Sequence, residues 1–298
     1  MKPLAKICLI IAVIAAVLGL VGIGAGMAMG ASPDEFLNIS LDETQRVLKP
    51  GRDGWEETFD GSPEVSAEKH AVTAEPELAA MAGVSEALAF GDENTRGLEL
   101  ELRAGEIQFY LYEGEKILIA SDDLSEVSRY FDVEADEDEI SIEDTRNHVL
   151  DNWKLQVYLP DRNFRDIDLD LGAADVYIEA LQADEISVDL GAGNMEVDRM
   201  VAGTSADLDV GAGAMVIDWL EGKELDLDCG IGSMEISLQG KETDYNCTLD
   251  CGAGVIQLGD STYSGLGRET QFGSERDAAK YLDVDCGIGE IVIGFEEE

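Results

Sequence analysis

The residues with the greatest chemical potential are aspartates. Asp168, Asp170, Asp189, Asp207, Asp209, Asp226, Asp228, Asp250, Asp283 and Asp285 alternate with apolar residues in runs such as LDLDLG, ADLDVG and LDLDCG. A period of two is a strand pattern, so the acids of each run project from one sheet face and the apolar residues from the other. If the runs stack, the acids form columns with a spacing of about 4.8 Å. Unit charges at that distance repel by about 1 kcal/mol in water and several-fold more at lower effective dielectric. Two chemistries relieve such a column: a hard cation such as Ca2+ that takes carboxylate oxygens, or a solvated, salt-screened face. Asp207, Asp209, Asp226, Asp228, Asp250, Asp283 and Asp285 are the cation candidates. Their spacing matches neither the EF-hand loop nor the G-G-x-G-x-D repeat. Strand carboxylates also lack the loop curvature that gathers six to eight oxygens, so the solvated face is the favoured reading.

Cysteine and glycine supply the other candidates. Cys229, Cys251 and Cys286 precede glycine turns where other runs carry Leu171, Leu190 and Val210, and Cys247 aligns with Leu225. They read as inward-facing small hydrophobes. A disulfide between stacked neighbours is the second reading, since strand spacing lies within the Cα range for that bond. Zinc is disfavoured, because no His or second Cys pair stands at ligand spacing. The glycine turns lack the following helix and lysine of a phosphate-cradling loop. No G-x-S-x-G elbow occurs, and His70 and His148 lie outside the runs. Acids that recur in every run look structural, whereas a catalytic carboxylate pair of the glycosidase kind would break the repeat. The reading is non-enzymatic, with no catalytic residue and no cofactor.

These residues are positioned by a repeat. The first turn glycines, Gly172, Gly191, Gly211, Gly230, Gly252 and Gly287, are spaced by about 19, 20, 19, 22 and 35 residues, a fixed period with one late insertion. In LDLDCGIGSMEISL, Leu225, Leu227 and Cys229 share one face, and after the turn Met234, Ile236 and Leu238 take the inner face. Two short strands and their turns make one coil of a parallel β-solenoid, each coil stacked on the last. A single rung cannot bury its inner face, but six can. Upstream, LELELRAGEIQFYLYEG and KILIASDD alternate in the same way, and RAGEIQFYL reads as an early, degenerate rung. Residues 129–147 read as an exposed hairpin or rung. In WKLQVYLP, Trp153, Leu155, Val157 and Leu159 share a face, and Pro160 closes the strand.

The chain has 298 residues and a formal charge of −44, which excludes a nucleic-acid partner, since a phosphate backbone demands a basic patch. Aromatic residues make up 6% against 45% apolar, so the core must be mostly aliphatic. Residues 7–29 form an uncharged apolar run long enough for a bilayer. Lys2 and Lys6 precede it and acids follow from Asp34, which orients the remainder outward. An uncleaved anchor is favoured over a signal peptide, whose apolar region is shorter. The expected organisation is an N-terminal membrane anchor (1–30), an acidic spacer (31–97) and a β-strand-repeat domain (98–298). Short helices are expected around 40–47 and 77–88 within the spacer. It reads as a passive linker, with a docking segment as the alternative. The insertion at 260–281 reads as a length insertion at a solenoid corner, with a lateral binding loop as the alternative.

Val157–Pro160, Asn163–Arg165, the six glycine turns and Ile291–Phe295, in this order behind an apolar N-terminal segment, resemble the bacterial "putative adhesin" or toast-rack family of β-strand-repeat envelope proteins. The resemblance covers roughly residues 98–295. It implies a β-solenoid facing outward from the cell membrane, often linked to envelope-stress or surface-sensing systems, and it brings no catalytic residues. The combined expectation is an all-β chain: a parallel β-solenoid with rungs of about 20 residues plus one N-terminal transmembrane helix. Its function is to present an extracytoplasmic interaction, adhesin-like or envelope-sensing surface to an unknown envelope protein or cell-surface ligand. The alternative is a cation- or ligand-binding surface module built on the aspartate columns.

Overall fold

Alternation becomes continuous extended backbone. The computed structural model describes residues 72–297 apart from 123, 137, 147–153, 265–267 and 273–279. Its elements begin with β1 (Val72–Thr73), α1 (Pro76–Met81), β2 (Leu88–Phe90), β3 (Gly97–Tyr112), β4 (Ile117–Ala120) and α2 (Leu124–Tyr130). They continue with β5 (Phe131–Asp136), β6 (Glu139–Asp144), β7 (Lys154–Pro160), β8 (Phe164–Glu221) and β9 (Glu224–Gln239). The chain closes with β10 (Tyr245–Cys251), β11 (Val255–Leu258), β12 (Ser261–Ser264), β13 (Arg268–Phe272) and β14 (Lys280–Glu296). All belong to one compact unit, Lys69–Glu298.

Each rung is an extended stretch bent at its glycine corner, with one limb before the corner and one after. β8 alone runs 58 residues and traces three rungs. Stacking is parallel and in register: Leu100 lies beside Leu169, Leu208 beside Leu227, and Ile236 beside Ile293. Inward positions of both limbs, such as Leu227, Cys229, Met234 and Ile236, are buried in one shared aliphatic core. The degenerate early rung is confirmed, since Gly97–Phe109 of β3 registers on Asp166–Ile178 of β8.

The corners are where backbone meets backbone. A Cβ at Gly191 would lie 2.8 Å from the Gly172 carbonyl oxygen, and one at Gly193 would lie 1.9 Å from that of Ala174. Gly193 also has φ +134°, a conformation that L side chains rarely adopt. Glycine here is a condition of stacking rather than a grip for a ligand.

Several expectations need correction. The sheet is mixed rather than purely parallel: β1, β2, β4 and β7 pair antiparallel at one end, as do β5 with β6. Among the described residues no helix is long and apolar enough to cross a membrane, so the expected composite of solenoid plus transmembrane helix does not describe this structure. Residues 7–29 and the 40–47 helix lie outside the described residues. The sheet already begins at Val72, inside the stretch read as spacer, and the helix expected around 77–88 is α1, which stops at Met81 so that Leu88 can enter β2.

The rungs are also not stacked in chain order. β14, the sixth rung, pairs with β9 on one side and with β10–β11, the fifth rung, on the other. Glu224–Gln239 offers a full-length partner for Tyr281–Glu296, whereas the fifth rung breaks at its corner between Cys251 and Val255. Part of the 260–281 insertion is β12 and β13, which run back antiparallel along β11 and β10. It covers the open edge of the last rung, the protection that a sheet edge needs.

The first rung is closed differently. β6 flanks β3 up to Glu101 and β7 flanks it from Glu106, and among the described residues no strand flanks the corner between them on that side. Asp144 and Arg146, both essentially without exposure, fill that gap. The Arg103 N–H donates to Asp144 Oδ2 at 3.3 Å, and Arg146 Nη2 donates to the Ala104 carbonyl at 2.8 Å. Arg146 Nε holds both Asp144 oxygens at 2.8 Å. An ion pair thus supplies the donor and acceptor that another rung would have supplied. Replacing Asp144 by Ala removes the carboxylate that the buried Arg146 guanidinium pairs with, and chemical denaturation is expected to show a loss of about 3–5 kcal/mol. A loss below about 1 kcal/mol would assign the pair no capping role.

Candidate functional site

The acidic face is built by the outer side chains of the limbs before the corner. Register places Glu143 beside Glu101 and Glu101 beside Asp170. Farther along, Asp209 lies beside Asp228, Asp228 beside Asp285, and Asp285 beside Asp250. Asp189 joins the two runs, because the corner of its rung at Gly191 stacks between Gly172 and Gly211. The second column holds Glu99 beside Asp168 and, farther on, Asp207 beside Asp226 beside Asp283. It is interrupted by Ser187 and ends at Thr248.

All seven cation candidates therefore share one face, as two adjoining runs. Stacking in chain order would have put Asp250 beside Asp228, but Asp285 stands between them. Among the described residues no group of three or more His, Cys, Asp or Glu side chains is arranged to hold a metal ion. Sequence reasoning missed Glu99, Glu101 and Glu143, although the alternation in LELEL and ISIE carried the signal.

The column is costly to keep charged. Partial burial raises the carboxyl pKa of Asp189, Asp209, Asp228 and Asp285 above the ordinary value, and neighbouring column acids push it further. Glu101, Asp168 and Asp226 are raised for the same reasons in the same order. A carboxyl whose folded pKa is raised binds protons more readily folded than unfolded. Its penalty is absent below the unfolded value, sets in as pH rises through the window between the two, and is fully present above it. Lowering the pH from neutral toward the ordinary aspartate value of 3.8 should therefore raise the melting temperature at low salt. Added salt at pH 7 should act in the same direction. Asp209→Asn should stabilise the domain by roughly 0.2–1 kcal/mol. A fall in melting temperature between pH 7 and about 5 would contradict this account.

On the inner side, the cysteines occupy the positions expected of hydrophobes. Cys229, Cys247, Cys251 and Cys286 are free and buried. Cys286 lies between Cys229 and Cys251 in register, and Cys247 beside Leu282, itself beside Leu225. Burial pushes the Cys229 and Cys247 thiols up to about 12 and Cys286 up to about 11. Unreactive thiols follow. In the folded protein these four should resist iodoacetamide at pH 8 and become alkylated only in denaturant. Rapid native labelling of Cys286 would show that the core opens.

The motifs of the family resemblance have structural work. Asn163 Nδ2 donates to Asp184 at 2.9 Å, Phe164 is buried, and Arg165 pairs with Asp138 at 2.6 Å and Glu139 at 2.9 Å. Together they seat the start of β8 on the rung beside it. A family model described as Toastrack DUF4097 matches residues 94–273, well over half of the chain. The chain belongs to the Toastrack family. Two solved structures have related coordinates. A "putative cell adhesion protein" from Clostridium sporogenes is 14% identical, with a TM-score of 0.35, over 71% of this chain and 98% of its own. A "putative adhesin" from Bacteroides fragilis is 13% identical, with a TM-score of 0.33, over 75% and 96% respectively. Likenesses of this degree carry no information about activity. No curated protein is similar enough to match. The Toastrack assignment gives the corner glycines and inner aliphatics their meaning and leaves the acidic face for separate explanation.

Proposed function

We propose that this Toastrack domain is a non-enzymatic, adhesin-like interaction module displayed outside the cytoplasm, and that its acidic face is the contact surface. The carrying observation is the column from Glu143 through Glu101, Asp170, Asp189, Asp209, Asp228 and Asp285 to Asp250. Stability alone disfavours such a column, because like charges directly opposite one another weaken a sheet and aspartate fits strands poorly. A rigid array of regularly spaced carboxylates suits a basic partner, whose cations lower the repulsion on binding and whose approach the field accelerates. Envelope sensing is a use of the same surface. Calcium held by the columns is the second reading, motivated by the same repulsion.

Replacing Asp189, Asp209, Asp228 and Asp285 by Asn removes the centre of the column without changing shape. In intact cells, a membrane-impermeant cross-linker should capture the wild-type chain with a partner and should fail to capture the variant, although the variant melts higher. Unchanged capture would remove the acidic face from the function, and absence of labelling of the wild-type chain would remove the extracytoplasmic placement. Millimolar calcium should shift the melting temperature no more than magnesium at equal concentration. A calcium-specific rise, lost in the Asn variant, would establish the second reading instead.

A further inference from the structure

The limbs after the corner present a different outer face, and at its first rungs it is not flat. A cleft of about 350 Å³ opens there, at the small end of the range for ligand pockets. Its floor is the paired ladder of β3 and β7, where Glu106 registers on Lys154 and Gln108 on Gln156. One wall is Val84–Glu86, the segment that follows α1, and the other is Ala120–Asp122 at the end of β4. α1 is held over the sheet by Leu78, Ala82 and Val84, which pack on Ala87, Leu118, Ala120 and Tyr158. The cleft is therefore floored by paired strands and walled by the short segments that follow α1 and β4.

Its chemistry is mixed at close range. Gln108 Oε1 accepts from the Tyr110 hydroxyl at 3.1 Å and from Gln156 Nε2 at 3.5 Å. This turns the Gln108 amide N–H groups and the Gln156 carbonyl toward other partners, and no described residue takes them. Lys154 Nζ and Glu106 Oε2, 2.6 Å apart and each about half exposed, offer further donors and acceptors. Val84 and Ala120 contribute apolar surface between them. Beside the amide pair stands an aromatic row on the same outer face: Tyr110 stacks on Tyr158 at 5.5 Å, and Tyr177 lies 6.1 Å from Tyr110. Tyr177 is also next to Gln108 across the ladder, and its hydroxyl is fixed on Asp198 at 2.7 Å.

Three ligand classes can be weighed against this lining. Phosphate or another anion meets Glu86, Glu106 and Asp122 against one ammonium that is already paired. An apolar ligand would bury amides and an ion pair without replacing their hydrogen bonds, which is costly. A sugar ring answers both demands. Each hydroxyl donates and accepts, matching interleaved amide, carboxylate and ammonium groups. Its C–H face suits the apolar wall and the partly exposed rings of Tyr110 and Tyr177 beside it, which offer rigid amphipathic surface.

We propose that the cleft between the segment that follows α1 and the β3–β7 ladder is a binding site for a neutral sugar of one or two rings, with Gln108 and Gln156 as its central hydrogen-bonding pair. The site is independent of the acidic face, because the two lie on outer sides of different limbs of each rung.

The test is saturation-transfer NMR of the full chain with glucose, galactose, mannose, N-acetylglucosamine and their β1,4-linked dimers, each at about 10 mM, a concentration that reveals millimolar binding. At least one sugar should bind. The Gln108→Ala/Gln156→Ala pair should weaken it at least about tenfold. Lys154→Met, which keeps the aliphatic stem, should weaken it as well. Glu235→Gln, on the outer face of a distant rung, should leave binding unchanged. The melting temperature of each variant establishes that it is folded. The proposal is overturned if no sugar gives a signal, or if folded Gln108 and Gln156 variants bind as the wild type does. It is also overturned if inorganic phosphate or putrescine displaces the sugar at equal concentration. The four-fold Asn variant of the acidic face should bind sugar normally, so this site and the acidic surface fail separately.

Discussion

Everything in this domain depends on how closely one rung's backbone can approach the next at the corner. With a carbonyl oxygen 1.9 Å from where the Cβ of Gly193, Gly213 or Gly232 would be, any side chain there would push the rungs apart. Close approach keeps the stack parallel and in register across the bend, so one limb's pairing dictates the other's. The consequence reaches both faces. Inner positions superimpose into an unbroken aliphatic column, and outer positions superimpose whether or not their chemistry favours it. Acids therefore stack on acids, and the thiol of Cys286 is enclosed between Cys229 and Cys251.

Periodic stacking leaves two ends to be closed, and the chain closes them by different means. At the first corner, Asp144 and Arg146 substitute side-chain charge for a missing rung. At the other end, the fifth rung moves outward, the sixth enters behind it, and β12–β13 return along the edge. Lys280 joins these parts: its ammonium donates to the Gln239 carbonyl at 3.0 Å and lies 5.1 Å from the centre of the Tyr245 ring. Both closures satisfy backbone groups that would otherwise template further pairing. Different solutions are open to the two ends because only the repeats between them are bound by the register.

Much of this was legible in the chain because the pattern is local. Alternation at Leu225–Cys229 and Met234–Leu238 identified the buried side of each limb, and the spacing of glycines identified the rungs. The early, degenerate rung followed from the likeness of RAGEIQFYL to the later rungs, and the four cysteines aligned correctly with hydrophobes. What the pattern did not convey was adjacency. The spacing of about 35 residues before Gly287 announced an insertion, but an insertion says nothing about where the following rung docks. Similarly, Asp144 and Arg146 looked like two more charges in an acidic hairpin. Their burial is a property of the corner they cover, which lies about 40 residues earlier in the chain.

Sequence by itself determined the rung: its length, inward side, corner glycines and acidic outer face, since each arises from residues within a few positions of one another. Tertiary structure decided the order of the rungs, the closure of both ends and the cleft beside the segment that follows α1. These arise where segments far apart in the chain compete for the same edge or face. For Asp207, Asp209, Asp226, Asp228, Asp250, Asp283 and Asp285 the division runs through a single site. Alternation placed them on one surface, whereas the insertion of β14 between β9 and β10 decided which carboxylates face each other. Pairwise repulsion depends on that adjacency, so the electrostatics of the face came only with the stacked fold.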